Sequence, residues 1–286
     1  MSFDFHTVFP GEIFVMLVMA LVATVPGFFR YRSFRGLGFY LAIIAQSAYL
    51  LAYCIVENKV SVVGVLFFLG LIVYAALNVV SDHFGEKVGF TDEEVTKGRK
   101  SFGISFLTWI GCSILYTAIF TPLLYRTLAG GMNISSGASS YSITMLGCTP
   151  VLWICVLLIA GQLSLSFNKT KTGGKFPMKG FHRFVRYPKE LFTLVLWLAC
   201  FCTVFLFGTR DLQLMILPVV AHVAMIVVQI CDLKKKEAVD DATYGDDENY
   251  REYVTYTSIL IPFIPWNSLQ KKHAWEDDED AALKAE

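Results

Sequence analysis

Seven apolar stretches, at 12–29, 38–56, 60–80, 104–125, 143–166, 190–208 and 212–231, divide this chain of 286 residues. Runs of about 18 to 25 apolar residues are long enough to cross a hydrocarbon core of about 30 Å at about 1.5 Å of helix per residue. A soluble bundle with the same number of buried helices would need a polar face on each, and the stretch from Val62 to Val80 offers only Asn78 as a strongly polar residue. Composition points the same way, with 55% hydrophobic and 17% charged residues against about 25% charge in soluble domains. Disorder is excluded by the 24 Phe and 13 Tyr. The amino-terminal MSFDFHTVFPGE carries acids where a removable signal has bases, so the first stretch is expected to be a retained helix. The sequence therefore predicts an all-α, polytopic integral membrane protein with about seven transmembrane helices.

The connections between the stretches give the orientation. Arg30, Arg32 and Arg35 follow the first, Lys87, Lys97, Arg99 and Lys100 the third, and Lys169, Lys171, Lys175, Lys179, Arg183, Arg186 and Lys189 the fifth. The alternate connections hold only Lys59, Arg126 and Arg210, a bias of fourteen to three that places the N-terminus outside and the C-terminus inside. With 24 basic and 24 acidic residues the net charge is zero, and no nucleic-acid partner is expected. Membrane lipids are the expected partners.

The linear organisation reads as amino-terminal helices over 1–140, a second membrane domain over 141–266 and an acidic tail over 267–286. Thr91 and Glu94 have capping-box spacing, which predicts a short helix from Asp92. Cys54, Cys112, Cys148, Cys155, Cys200, Cys202 and Cys231 lie in or beside apolar stretches, with no spacing suited to a metal or a disulfide framework. The sequon at Asn133 falls in a loop predicted to be outside.

Chemistry inside a membrane is usually marked by ionisable groups at depth, and no stretch holds an Asp, Glu, Lys or Arg in its interior. The polar exceptions are Gln46, Asn78, Gln162, His222 and Gln229, with several tyrosines. These residue types commonly tie helices together, which is the reading preferred for His222. The informative segment is the basic run from Asn168 to Lys189. Its charge suits either lipid headgroups or the phosphates of a cofactor. Arg183 and Arg186 are three residues apart and would share a face on a helical turn, as an anion clamp requires.

GKFPMKGFHRFVRYP, starting at Gly174, resembles the stretch before the penultimate helix in membrane reductases related to steroid 5-alpha-reductase. It is closest to a broad uncharacterised branch that reads approximately G-K-F-x-x-x-G-L-W-R-x-S-R-H-P-N-Y-x-G-E. YGDDENYREYVTYTSILIPFIPW, starting at Tyr244, is similar to the ending of the same branch. The resemblance covers about residues 160 to 266. Gly174, Lys175, Phe176, Gly180, Arg183, Arg186 and Pro188 match the branch, whereas Tyr187, Lys189, Glu190, Phe192 and Thr193 replace its histidine, asparagine, tyrosine, glycine and acid.

The resemblance implies NADPH as cofactor, with Lys175, Arg183, Arg186, Tyr250 and Tyr253 as the residues to hold it and no identified catalytic residue. The substitutions remove groups that would position the reacting ring. The expectation is therefore a degenerate site in a structural, lipid-binding or accessory subunit of a membrane assembly. An active NADPH-dependent reductase of a lipid carbon-carbon double bond is the alternative. A methyltransferase using S-adenosylmethionine is a third class, weakened because Lys234-Lys235-Lys236-Glu237 stands where such enzymes keep a Glu-Glu pair. The family implies the endoplasmic reticulum, and an accessory subunit the mitochondrial inner membrane. The segment from Tyr244 to Trp266 is expected to fold back on the basic loop, because its apolar run from Ile259 to Pro265 is too short to cross.

Overall fold

A computed structural model describes residues 10–29, 37–58, 61–85, 102–130, 140–169, 176, 178, 180–205, 212–262 and 268. The expected helix at Asp92, the sequon at Asn133, Lys175 and the tail over 269–286 lie outside these residues. The described residues form helices and no strand. In chain order the α-helices are α1 (Gly11–Phe29), α2 (Phe39–Val56), α3 (Val62–Gly85), α4 (Phe102–Gly130), α5 (Ser140–Lys169), α6 (Pro188–Phe205), α7 (Leu212–Tyr244) and α8 (Glu248–Tyr256). A 3-10 helix over Gly180–Arg183 precedes α6.

Each apolar stretch lies on one of the first seven helices. Among the described residues, four segments are long and apolar enough to cross a membrane: Phe39–Val56, Val62–Val80, Phe106–Leu128 and the helix containing Leu214 to Tyr244. Gly11–Pro26 and Gly147–Gly161 are shorter apolar segments of α1 and α5. The last crossing helix is longer than its apolar part. Leu212 to Cys231 is about one hydrocarbon thickness, and from Asp232 onward the helix carries Lys234, Lys235, Lys236, Glu237, Asp240 and Asp241 beyond the lipid core. No glycine or proline interrupts that extension, so nothing in the backbone stops the helix at the membrane surface.

The chain divides into two compact units. The first comprises residues 1–160 with 196–224, and the second residues 161–195 with 225–286.

Within the first unit, α2 meets α1, α3 and α4, and α1 meets α4. Polar side chains tie α1, α2 and α4 together, whereas Asn78 bonds back to the Tyr74 carbonyl on its own helix at 2.8 Å. Gln46 Nε2 donates to the Met16 carbonyl at 3.3 Å and to Thr117 Oγ1 at 3.1 Å. Thr24 and Ser113 hydroxyls are 3.0 Å apart, and Trp109 Nε1 donates to Thr24 Oγ1 at 2.9 Å. Such bonds replace the water that buried polar groups have lost. An aromatic cluster adds packing: Phe39 lies 4.8 Å from Tyr116 and 5.7 Å from Trp197, which in turn lies 5.9 Å from Phe120. Gly70 leaves room for Leu152: a Cβ there would fall 1.9 Å from Leu152 Cδ2, so the leucine side chain would have to shift. His222 is bonded through Nδ1 to the Pro218 carbonyl of its own helix at 2.8 Å rather than across helices, and its ring is tilted against Phe201 at 4.8 Å.

The charge bias makes a topological prediction. In a cysteine-free background, a cysteine placed at Ser136 should label from the face opposite to one placed at Thr172. Labelling of both from one face would contradict the seven-crossing arrangement.

Candidate functional site

In the second unit, the carboxyl-terminal extension of α7 places Glu237, Asp240 and Asp241 at positions i, i+3 and i+4, which is one helical face. Each carboxylate meets a different residue of the segments packed on it. Glu237 Oε1 accepts from Arg186 Nη2 at 3.2 Å, with both side chains fully buried. Asp240 Oδ2 accepts from the Tyr187 hydroxyl at 2.8 Å. Asp241 Oδ1 accepts from the Tyr250 hydroxyl at 2.9 Å.

The chain around Arg186 is fixed by its backbone. Arg186 N donates to the Ser258 carbonyl at 2.9 Å and Tyr187 N to the Ile259 carbonyl at 3.3 Å. Pro188 then opens α6 at a first-turn position where its missing N–H costs nothing. The short helix α8 is capped by Asp247, whose carboxylate accepts from Asn249 N at 3.0 Å. It buries Tyr250 and Val254, one turn apart. Tyr253 donates from its hydroxyl to the His182 carbonyl at 2.6 Å, and His182 Nδ1 lies 2.9 Å from the Arg186 carbonyl. Phe176 meets Tyr244, Tyr250 and Tyr253 with ring centroids 5.4, 4.9 and 5.4 Å away. Tyr187, Leu233, Ile259 and Leu260 form a buried apolar cluster, with Leu191 and Leu194 packed against it. The fold-back of the segment after Tyr244 is thus observed as far as Leu260.

Electrostatically, the Arg186 guanidinium is answered by Glu237, while Asp240 and Asp241 on the same helical face are answered by phenols. Burial holds the Tyr187 and Tyr250 phenols well above their ordinary range, and Asp240 and Asp241 beside them reinforce this. Burial also raises the Asp240 carboxyl, to about 6, with Tyr187 and Lys236 opposing the rise and Asp241 and Glu190 adding to it. Lys236 and Glu190 form a more exposed ion pair nearby.

The raised Asp240 value fixes a sign for stability. The folded chain favours the protonated acid, so its contribution is fully present below the unfolded value near 3.8 and is lost as pH rises to about 6. Asp240→Asn, which keeps an oxygen for Tyr187, should raise the apparent Tm at pH 7.5, a gain on the order of 1–3 kcal/mol. That gain should vanish when the melts are repeated near pH 4. A variant that melts lower than wild type at pH 7.5 would contradict this.

Of the residues expected to hold a cofactor, the structure brings Arg186, Tyr250 and Tyr253 together. Lys175 lies outside the described residues. Arg183 is exposed whereas Arg186 is buried, so the two guanidinium groups do not form the clamp that their spacing suggested. The physical reason is local: the 3-10 helix ends at Arg183, and the chain then turns so that Arg186 and Tyr187 bond the Ser258 and Ile259 carbonyls. Arg186 Nε and Nη1 are buried without a hydrogen-bond partner among the described residues, the donors that an anion entering the site would meet. Sequence reasoning missed Glu237, Asp240 and Asp241. Their signal was present as an acidic i, i+3, i+4 triplet on a helix running uninterrupted out of the last crossing.

No curated protein and no solved structure matches the chain. The profile of DUF1295, a protein family of unknown function, matches residues 94–257, more than half of the 286 residues. This match includes the acidic face of α7, the Arg186 segment and α8. The chain belongs to the DUF1295 family.

Proposed function

We propose that this chain is an integral membrane protein of steroid 5-alpha-reductase-like ancestry that keeps the framework of a dinucleotide site without its turnover. Its role on this reading is that of a structural, lipid-binding or accessory subunit in the endoplasmic reticulum or mitochondrial inner membrane. The observation that carries it is the closed ion pair of Arg186 with Glu237, both buried, beside Asp240 and Asp241. A phosphate reaching Arg186 must displace or oppose Glu237, and breaking a buried pair costs about 3–5 kcal/mol. Asp240 and Asp241, on the same helical face as Glu237, add negative charge that opposes an incoming anion. Phe192, where the resembling reductases have glycine, is buried against Phe181 and takes space that a flat cofactor ring needs.

A second reading, an active NADPH-dependent reductase of a lipid carbon-carbon double bond, is favoured by a separate observation. Arg186 keeps two buried donors free, and the Tyr187–Asp240 pair is a phenol hydrogen-bonded to a carboxylate, an arrangement able to pass a proton to a carbanion-like carbon. When bound, NADPH would supply hydride. Arg186 would bind phosphate, and Tyr187 would hold the proton at its hydroxyl oxygen.

Turnover separates the two. Purified protein in lipid should show no protein-dependent NADPH oxidation with unsaturated sterols, enones or enoyl thioesters, and should co-purify with other membrane subunits. Oxidation that disappears in Tyr187→Phe, a change that removes one oxygen atom, would overturn the silent reading in favour of the reductase.

A further inference from the structure

The 3-10 helix Gly180–Arg183 has a composition unlike the buried residues that follow it. Phe181 and Phe184 are 38% and 53% exposed, and Arg183 between them is exposed. The Phe184 N to Phe181 carbonyl bond closes a single i to i+3 turn, which brings these two exposed residues to its two ends, side by side. The turn is held rigidly in that pose. Phe184 N donates to the Phe181 carbonyl at 3.0 Å, Val185 N donates to the same carbonyl at 3.2 Å, and the Tyr253 hydroxyl holds His182 from the other side. Gly180 enters it with φ +70, a conformation that suits glycine.

The depth of this knuckle is set by α6. The Phe181 ring stands edge-on to Phe192 at 5.3 Å. Phe192 is four residues beyond Pro188, about 6 Å along the helix, and just past Leu191, where the apolar part of α6 begins. The knuckle therefore doubles back to the level at which α6 enters hydrocarbon. Exposed aromatic rings at that level are solvated by lipid rather than water. Arg183 has no carboxylate partner among the described residues, unlike Arg186 with Glu237 or Lys236 with Glu190.

We propose that Phe181, Arg183 and Phe184 form a binding site for an anionic phospholipid of the leaflet on the basic side. The two rings sit below the phosphate plane, and the guanidinium binds the phosphodiester oxygens, for which its planar fork is suited. The site deepens the lipid-binding part of the reading above and rests on it. It uses none of Glu237, Asp240 or Asp241, so it stands whether or not the chain turns over NADPH.

The test is native mass spectrometry of the full chain extracted from membranes and exchanged into mixed phosphatidylglycerol and phosphatidylcholine. Wild type should retain phosphatidylglycerol preferentially. Arg183→Ala should lower that retention about tenfold, Phe184→Ser should lower it too, and Arg183→Lys should restore part of it. Both substituted positions, Arg183 and Phe184, are exposed, so the thermal melts should match wild type and a lost lipid cannot be put down to misfolding. Inorganic phosphate or pyrophosphate should fail to displace the lipid. Unchanged retention in Arg183→Ala, or displacement by inorganic phosphate, overturns the proposal, the latter by showing a site for free anions. NADPH oxidation measured on the same samples reports separately on the silent reading: turnover with lipid still retained would sink that reading and leave this site standing.

Discussion

Glu237→Gln is expected to destabilise the second unit by about 3–5 kcal/mol, because it leaves the Arg186 charge buried without a counter-charge. The pair is fully buried, and two other guanidinium nitrogens, Nε and Nη1, already lack partners, so no neighbouring group stands ready to take the place of the lost carboxylate. The damage should be local in origin. Arg186 N and Tyr187 N anchor the residues around Ser258 and Ile259 through their backbone, and displacement of Arg186 loosens that anchor. Limited proteolysis near residue 258 should therefore accelerate in the variant before the thermal melt of the remainder shifts. Replacing both partners, as Arg186→Met with Glu237→Leu, should recover most of the loss, since an apolar pair of similar volume carries no desolvation penalty. A single variant as stable as wild type, or a double variant no better than the single, would show that the ion pair is not what closes this site.

Tyr250→Ala should be comparably costly, at about 3–5 kcal/mol, through the cavity left by a fully buried aromatic side chain. Phe176 and Tyr244 both lose a ring neighbour, at 4.9 and 5.8 Å. Tyr250→Phe isolates the hydroxyl and removes only the 2.9 Å bond to Asp241, with a cost of about 1.5–3 kcal/mol for a hydrogen bond to a charged group. The order of the two losses, read from melts in detergent, tests whether packing or hydrogen bonding dominates at α8. Equal losses would mean that the ring contacts contribute little.

The sequence made the helices legible because the bilayer imposes a length on them, and Val62 to Val80 has hardly any alternative. It also made the fold-back legible, since the run from Ile259 to Pro265 is apolar yet too short to cross, while Tyr250 and Tyr253 carry hydroxyls that need partners. The acidic face of α7 was harder to see. Glu237, Asp240 and Asp241 follow a run of three lysines and read locally as a solvated, mixed-charge end of a crossing. Their pairing depends on Arg186 and Tyr187, some fifty residues earlier, and on Tyr250 beyond the turn that ends α7. Nothing in a local window reports an ion pair of that kind. The arginine spacing misled for a related reason: three residues apart means a shared face only if the helix continues, and here it stops at Arg183.

The account rests on Arg186 having its charge answered from within the chain. The direct measurement is equilibrium binding of NADPH to the full protein in lipid nanodiscs, wild type beside Arg186→Lys, followed by quenching of intrinsic fluorescence. The account predicts no saturable binding by either protein up to about millimolar NADPH, the weak end of ordinary affinities. Saturable micromolar binding by wild type that Arg186→Lys abolishes would contradict it.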